Sequence, residues 1–311
     1  MISRVDLHIH STASDGRLSP QEIVVKAAEQ GLSVIALTDH DTTEGIAPAL
    51  AAASAFPGLR VIPGVEISTD FAQGEAHILG YFVDDTHKEL RIRLERMRNS
   101  RYERAREMIA KLGGLGIHIE WPRVQEIAGG GSVGRPHLAQ AMLEKGYIGS
   151  FREAFTDYIG RGAPAYAERR KVTPVEAVEL ILRADGLPVL AHPLFIDDWQ
   201  AMVVELKGAG LVGIEVYYDG YTAQEIDSLR VLAEKYGLIT TGGSDFHGID
   251  ASTETTLGGV NVPMEAAERL VALAEQRALR SAIALSSETS PCKTGIESII
   301  DSLNQGGAGG F

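Results

Sequence analysis

The chain has one cysteine, no long apolar run and a deficit of positive charge, and each shortage removes a class of function. Cys292 is alone among 311 residues, so no internal disulfide can form. A lone thiol near the C-terminus reads as inert and fits a reducing, cytoplasmic setting. No apolar stretch approaches the ~18 residues that a membrane-spanning helix needs, and the N-terminus lacks the charged, apolar and cleavage segments of an export signal. Lys and Arg number 29 against 42 Asp and Glu, a formal charge of −13. A protein gripping long duplex nucleic acid through many phosphates carries a basic footprint, and this one does not. A small phosphorylated substrate stays compatible, because metal ions held by carboxylates reverse the sign locally.

What is present is an ordinary globular composition, 44% hydrophobic and 23% charged, in a chain long enough for one large domain or a domain with an insertion. Short β-rich runs predict strands near 3–9, 33–38, 60–67, 76–83, 188–192, 212–218 and 238–243. Two helix starts are well signalled. In "SPQE", Ser19 caps, Pro20 takes the first helical position and Glu22 completes a capping box, and "TPVE" repeats the device with Thr173, Pro174 and Glu176. Gly31 and Gly186 stand where those helices should stop. Strand–helix alternation predicts an α/β architecture with a largely parallel sheet or barrel. It breaks between about residues 88 and 170, which read as a helical insertion. From about 286 the chain turns polar and ends "NQGGAGGF", with a short helix possible in "TGIESIIDSLN".

The first motif, "RVDLHIHSTASDG", places His8 and His10 two apart and Asp15 five residues on. A strand repeats its facing every two residues, so both imidazoles point the same way, roughly 6 to 7 Å apart. Other chemistry-bearing residues also fall at strand ends: His40 in "TDHD", Glu66 in "PGVE", His192 in "LAHP", and Asp245 and His247 in "GSDFHG". In parallel strands these collect at the C-terminal face, where α/β barrels keep their chemistry. His77 begins its apolar run instead of ending it. An antiparallel hairpin with a turn around Asp70 to Gln73 resolves this by bringing Glu66 opposite His77, close enough to share a metal. Taken singly, each histidine reads as structural; nine such positions at strand ends read as a ligand set. Six histidines (8, 10, 40, 77, 192, 247) and three acids (Asp15, Glu66, Asp245) exceed the needs of one ion with an open position. They suit two or three divalent ions with a bridging carboxylate. Without thiolates the donors favour Mn²⁺, Zn²⁺, Fe²⁺ or Mg²⁺.

"DLHIHSTASDG", "TDHD", "PGVEIS", "AHILG", "LAHP" and "GSDFHG" together resemble the PHP phosphoesterases, named for polymerase and histidinol phosphatase, over roughly residues 3 to 285. The resemblance implies an α/β fold of the PHP type, a distorted, TIM-like (β/α)₇ barrel built from 1–87 and 171–285, with 88–170 as a helical cap and 286–311 as a Gly-rich tail. It implies one ion on His8, His10, Glu66 and Asp245, a second on Glu66, His77 and His192, and a third on Asp15, His40 and His247, with Mn²⁺ the foremost expectation. Within the family, "GRPH" followed by "FTDYIGRGAPAY" resembles the branch acting on nucleoside 3′,5′-bisphosphates and short 5′-phosphorylated oligonucleotides, which implies that Arg135 and His137 hold a substrate phosphate. A loop opening a helix suits that role, through free amides and a guanidinium. Gly129, Gly131 and Gly134 satisfy G-x-G-x-x-G on paper, but no strand precedes them, so the dinucleotide-binding reading is rejected.

The expected reaction is hydrolysis of the 3′-phosphate of a nucleoside 3′,5′-bisphosphate by in-line attack of a metal-bound hydroxide. Asp245 is the candidate for the water's proton, and His192 and His247 are candidates for acid–base work. The expected partner is a small nucleotide or short oligonucleotide, with no long duplex, membrane or obligate protein partner. Rival readings are 5′→3′ trimming of short RNA or DNA, histidinol phosphatase, a polymerase-associated proofreading domain, and an amide or lactone hydrolase. A metal sensor would not need so many donors. Ser–His–Asp chemistry is disfavoured, since "GGSDFHG" lacks the G-x-S-x-G elbow. Arg98, Arg101 and Arg104 are expected on a solvated helix face relieved by Glu95, Glu103 and Glu107, the alternative being a face turned to the cleft. His87 and His118 read as surface residues, Glu215 as a neighbour supporting the site, and Asp39 and Asp41 as partners orienting ligands.

Overall fold

The structure, a computed structural model, describes residues 4–72, 74–129, 131–168, 172–249 and 255–288, the last eight by backbone alone. Seven strands form one sheet in chain order: β1 (Val5–Asp6), β2 (Val34–Leu37), β3 (Arg60–Phe71), β4 (Gly74–Tyr81), β5 (Leu187–Leu190), β6 (Gly213–Tyr217) and β7 (Ile239–Gly242). All neighbours pair in parallel except β4, which runs antiparallel to both β3 and β5. The sheet comes nearly full circle. Leu7 N donates to Gly242 O at 3.1 Å, His10 N donates to Phe246 O at 2.9 Å, and Ile9 bridges Phe246 in parallel. The result is the expected α/β fold, a distorted seven-stranded barrel of TIM type.

The helices are α1 (Pro20–Glu29), α2 (Ile46–Ala53), α3 (Lys88–Gly114), α4 (Trp121–Ile127), α5 (Arg135–Glu144), α6 (Phe151–Glu153, continued as a π-helical turn to Ile159), α7 (Pro174–Arg183), α8 (Trp199–Ala209), α9 (Ala223–Tyr236) and α10 (Met264–Glu288). Both capping boxes form as read. Ser19 Oγ accepts from Glu22 N at 3.2 Å while Glu22 returns a carboxylate to Ser19 N at 2.7 Å, and Thr173 with Glu176 repeats this at 3.2 and 2.9 Å. Gly31 takes φ 77° just past α1, a conformation that costs glycine no steric strain. Past α7 that role passes to Asp185 (φ 59°) instead of Gly186. His87 is the N-cap of α3, and His118 is exposed as expected. The chain divides into units at residue 270, the second running from Val271. The tail helix considered in "TGIESIIDSLN" lies outside the described residues. No described helix is long and apolar enough to cross a membrane.

Two expectations are corrected. The β3–β4 hairpin is tighter than a turn at Asp70 to Gln73: Phe71 pairs with Gly74, so Ser68 faces His77 and Glu66 faces Leu79. The register differs by two residues. An even shift preserves facing, so Glu66 and His77 remain diagonal neighbours on one face.

The second correction concerns the arginines of α3. This 27-residue helix lends Leu90, Leu94 and Met97 to the core behind the sheet, and Ala105, Met108 and Leu112 to a separate core shared with α4, α5 and α6. Arg101 and Arg104 fall between the two and are buried, each 6% exposed. Arg101 donates to Asp41 Oδ2 and to Ser68 Oγ, both at 2.6 Å, Arg104 lies 3.9 Å from Glu75, and Arg98 pairs with Glu44. The solvated face belongs to Glu95, Glu103 and Glu107. A helix clamped between two cores exposes only the side turned away from both.

Closure of the barrel depends on backbone contact where β7 leaves the sheet. A Cβ on Gly243 would lie 2.4 Å from His8 N and 2.5 Å from His8 Cβ. Gly243→Ala is therefore expected to destabilise the protein by about 1–3 kcal/mol through overpacking. Gly58→Ala, where nothing lies within 4 Å, should be near neutral. Thermal unfolding of the two variants checks the difference.

Candidate metal centre

All seven strands deliver side chains to one end of the barrel. His8 and His10 follow β1, His40 follows β2 and bridges Glu66 of β3, and His192 follows β5. Glu215 lies on β6, and Asp245 and His247 follow β7. Because β4 is antiparallel, His77, near its start, arrives at the same end. The first expected donor to settle is Glu66, 1% exposed. Its Oε2 lies 3.3 Å from His8 Nε2, 3.2 Å from His10 Nε2 and 2.9 Å from His40 Nδ1. Its Oε1 lies 2.8 Å from His77 Nδ1 and 3.2 Å from His192 Nε2. Asp245 Oδ1 stands 3.3 Å from His8 Nε2 and 3.0 Å from His10 Nε2. Asp15 stands 3.4 Å from His247 Nε2 and 4.0 Å from His40 Nε2.

All nine expected donors are thus brought together. Three sets of donor atoms lie within 4.8 Å of one another: His8, His10, Glu66 and Asp245; His40, Glu66 and His77; and His10, Asp15, His40 and His247. Compared with the expected sets, His40 stands where His192 was expected beside Glu66 and His77, His10 also joins Asp15, and His192 meets the cluster through Glu66 Oε1.

The donors fit metal ions on a physical test. His8 Nε2, both nitrogens of His10, His40 Nδ1, Glu66 Oε2, Asp15 Oδ1 and Asp245 Oδ1 are buried without a hydrogen bond. Buried polar atoms are almost always hydrogen-bonded. Here lone pairs converge at short range with poor hydrogen-bond geometry, the arrangement a shared cation satisfies. Nitrogen and carboxylate donors without sulfur suit Mn²⁺, Zn²⁺ or Fe²⁺.

The electrostatics agree. Burial opposes ionisation of Asp245 and Asp15, yet neighbouring imidazoles (His8 for Asp245, His40 and His247 for Asp15) hold both well below the usual range. Burial likewise opposes charge on His10, but the nearby carboxylates of Asp245 and Glu66 raise it to about 10, and His8 is raised well above its ordinary value by Asp245, Glu215 and Glu66. The carboxylates fix negative charge in a buried place. That charge attracts protons, or cations that displace them.

Surrounding carboxylates hold the donors in position. Glu215, fully buried, lies 3.1 Å from His8 Nδ1 and accepts from His192 N at 2.8 Å, as anticipated. Asp6 accepts from Ser244 N at 2.9 Å and Ser244 Oγ at 2.6 Å, fastening the loop that carries Asp245 and His247. Asp39 and Asp41 support the ligands through the segments that carry them. Asp39 accepts from Ser11 N, Ser11 Oγ and Ser14 Oγ, each at 2.7 Å, and so fixes the loop leading to Asp15. Asp41 accepts from Ser68 N at 2.9 Å beside its Arg101 pair. Three residues here, Asp41 (φ 53°), His192 (φ 27°) and Asp245 (φ 52°), take left-handed backbone, strain that persists where the surroundings over-determine it.

A cavity of about 150 Å³ adjoins the donors, lined by Asp15, His40, His77, Glu75, Arg104 and Arg135 among others. A larger depression of about 970 Å³ around Arg230 and Glu234 contains none of the nine donors. Arg135, the first residue of α5, meets Glu75 Oε2 at 2.7 Å and lies over the Phe155 ring at 5.6 Å. His137 turns elsewhere. Its Nδ1 accepts from Gly134 N at 2.9 Å, and it lines a separate recess with Asp15 and Arg17. Burial lowers it to about 4, so its ring is neutral. Arg101 and Arg104 of α3 line the cavity with Arg135, as in the cleft-facing alternative for these arginines. The sequence reading overlooked Glu75, held at about 2 against its burial by Arg135, His77 and Arg104. Its spacing of two from His77 was the available signal. Tyr218, whose hydroxyl donates to Asp245 Oδ2 at 2.8 Å, had no comparable signature.

The PHP domain model matches residues 6–148. A 3′,5′-nucleoside bisphosphate phosphatase from Chromobacterium violaceum is 33% identical over 256 residues, 79% of this chain and 88% of its own. A 5′-3′ exoribonuclease from Haemophilus influenzae is 37% identical over 251 residues, 79% of this chain and 91% of its own. Among solved structures, an amidohydrolase from C. violaceum with bound sulfate superposes with a TM-score of 0.76 at 31% identity, over 84% of this chain and 93% of its own. A protein assigned as a metal-dependent phosphoesterase from Bifidobacterium adolescentis gives 0.79 at 26% identity, over 86% and 95%. With relatives above 30% identity aligned along most of their length, the chain belongs to the PHP family of metal-dependent phosphoesterases.

Proposed function

We propose that the protein removes the 3′-phosphate of nucleoside 3′,5′-bisphosphates, such as 3′-phosphoadenosine 5′-phosphate, leaving the 5′-monophosphate. The observation that carries this reading is the convergence of buried donors lacking hydrogen bonds around Glu66, beside a cavity lined by Arg104 and Arg135. The similarity to a nucleoside bisphosphate phosphatase supports the substrate. A second reading, 5′→3′ trimming of short 5′-phosphorylated RNA or DNA, is supported by the similarity to an exoribonuclease. In this reading residues 1–87 and 171–285 form the catalytic barrel, 88–170 the substrate-reading cap, and 286–311 a polar, Gly-rich tail. The lone cysteine supports a reducing, cytoplasmic compartment.

His8, His10, Asp15, His40, Glu66, His77, His192, Asp245 and His247 would hold two or three divalent ions, Mn²⁺ foremost. Such ions supply charge neutralisation at the phosphoryl oxygens and ionised water near neutral pH. The chain's own groups do the remaining work. Arg135 anchors the second phosphate as a guanidinium–oxyanion pair, with Arg104 beside it. An incoming phosphate competes for both arginines with Glu75, which they contact at 2.7 and 3.9 Å. His137 contributes by capping α5, which positions Arg135. Asp245 is assigned the proton of the attacking water, its Oδ2 oriented by the Tyr218 hydroxyl. His192 and His247 are 13% and 17% exposed, and whichever of them is not held by an ion is assigned the proton for the leaving oxygen.

Kinetics with Mn²⁺ on nucleoside 3′,5′-bisphosphates, 5′-phosphorylated di- to pentanucleotides and histidinol phosphate should rank the bisphosphates first. Faster turnover of the oligonucleotides would favour the exonuclease, and a preference for histidinol phosphate would overturn both readings.

His8→Ala with His10→Ala should remove bound metal and activity together while circular dichroism stays native, with metal content read by elemental analysis. Glu215→Gln, which alters the group holding His8 Nδ1, should weaken metal binding about 10- to 100-fold, measured by competition with a chelator. Arg135→Ala should raise KM for bisphosphates roughly 10- to 100-fold, the loss of one charged hydrogen bond, and leave a simple aryl phosphate little changed.

A further inference from the structure

Phe195 is 67% exposed, and it ends the 3₁₀ turn Pro193–Phe195 that begins immediately after His192. A single exposed apolar side chain needs no explanation, but this one belongs to a group. Its ring lies 5.5 Å from His192 and 5.5 Å from Tyr218, with Tyr221 at 6.4 Å, and Tyr218 and Tyr221 are 5.3 Å apart. Both tyrosines meet Phe195 edge to face, at 85° and 68°. They brace the ring and still leave it largely open to solvent. The brace is itself tied down: Tyr221 Oη accepts from Leu194 N at 3.2 Å, and Tyr218 Oη donates to Asp245 Oδ2 at 2.8 Å. An aromatic platform is thus joined, through His192 and Asp245, to the edge of the donor cluster.

We propose that Phe195, braced by Tyr218 and Tyr221, is a shelf on which the substrate's nucleobase stacks while its phosphate sits at the donor cluster. The proposal rests on the nucleotide reading above and adds what recognises the base. Phe195 stands about one ring-width from His192, comparable to the spacing a ribose sets between phosphate and base. The chemistry at this end suits a base and disfavours a phosphate. The turn leads into exposed Asp197 and Asp198, whereas the cationic groups, Arg104 and Arg135, line the cavity beside His77 and His40. Both tyrosine hydroxyls are already engaged, so the shelf offers ring faces without an evident base-reading hydrogen bond. Every base has a π-face, so stacking tolerates sequence. The shelf therefore separates nucleotides from abasic phosphoesters and discriminates weakly among bases, purines binding somewhat tighter for their area.

Calorimetric titration of the metal-loaded protein with adenosine 5′-monophosphate and with ribose 5-phosphate tests this without turnover. Wild type should prefer the nucleotide. Phe195→Ala should weaken it about 10-fold, equivalent to about 1.4 kcal/mol, and leave ribose 5-phosphate unchanged, while Phe195→Trp restores affinity. Equal binding of the two probes by wild type, or equal weakening of both or of neither by Phe195→Ala, overturns the shelf. A protein that shows the Phe195-dependent preference yet fails to hydrolyse bisphosphates keeps the shelf and loses the proposed reaction.

Discussion

The barrel is organised around one carboxylate. Glu66 is 1% exposed, and nitrogens of five histidines approach its two oxygens within 3.3 Å. An ionised carboxylate removed from water costs several kcal/mol unless it is compensated. Five imidazoles compensate only to the extent that they bind protons or share a cation with it. This end of the barrel therefore needs positive charge that the chain does not itself supply in sufficient amount. Asp15 and Asp245 deepen the demand, and Glu215, behind His8, adds to it. Occupancy by cations and stability of the sheet's end are in consequence linked quantities.

The surroundings reflect the same constraint. The donors sit mostly on loops just past strand ends, and loops alone do not hold a metal geometry. Each is fastened by a buried acceptor: Asp39 for the Ser11 to Asp15 loop, Asp6 for Ser244, and Glu215 for both His8 and the backbone at His192. Burial raises the carboxyls of Asp6 and Asp39, partly offset by the hydrogen bonds they accept. These groups touch no substrate, yet they convert flexible connections into a preorganised face.

Much of this was legible because it follows from periodicity. Strand positions, the two capping boxes and the placement of donors at strand ends need only a period of two and local side-chain chemistry, both visible in "DLHIH" or "SPQE". What was illegible depended on partners far along the chain. The facing of Glu66 and His77 was read correctly, but their register was not, since one shorter turn moves it by two residues without altering facing. The arginine face of α3 looked solvated because local Glu residues appeared to balance it. Its burial is decided by two cores, the nearer formed with α7 and β4 and the farther with α4 and α5. Arg135 and His137, separated by Pro136 in "GRPH", diverge because positions two apart on a helix face different ways. Only the structure shows Arg104, from another helix, taking the place beside Arg135.

A chain of charge −13 that takes an anion must confine its attraction to one small place. Here the accessible cations are few and already matched. Arg101 is committed to Asp41, and Arg104 and Arg135 converge on Glu75. Phosphate binding at the cap is thus an exchange in which one carboxylate yields to another oxyanion, and not the filling of an open basic track. Such an exchange accommodates one terminal phosphate. It gives no continuing attraction to the phosphates of a long strand, and the acidic surface beyond opposes them. With the proposed aromatic shelf at the other edge, the proposed substrate is a base, a sugar and two phosphates. In the proposed reaction, substrate length is limited by where positive charge ends, at Glu75 of β4 and the arginines of α3 and α5 that meet it.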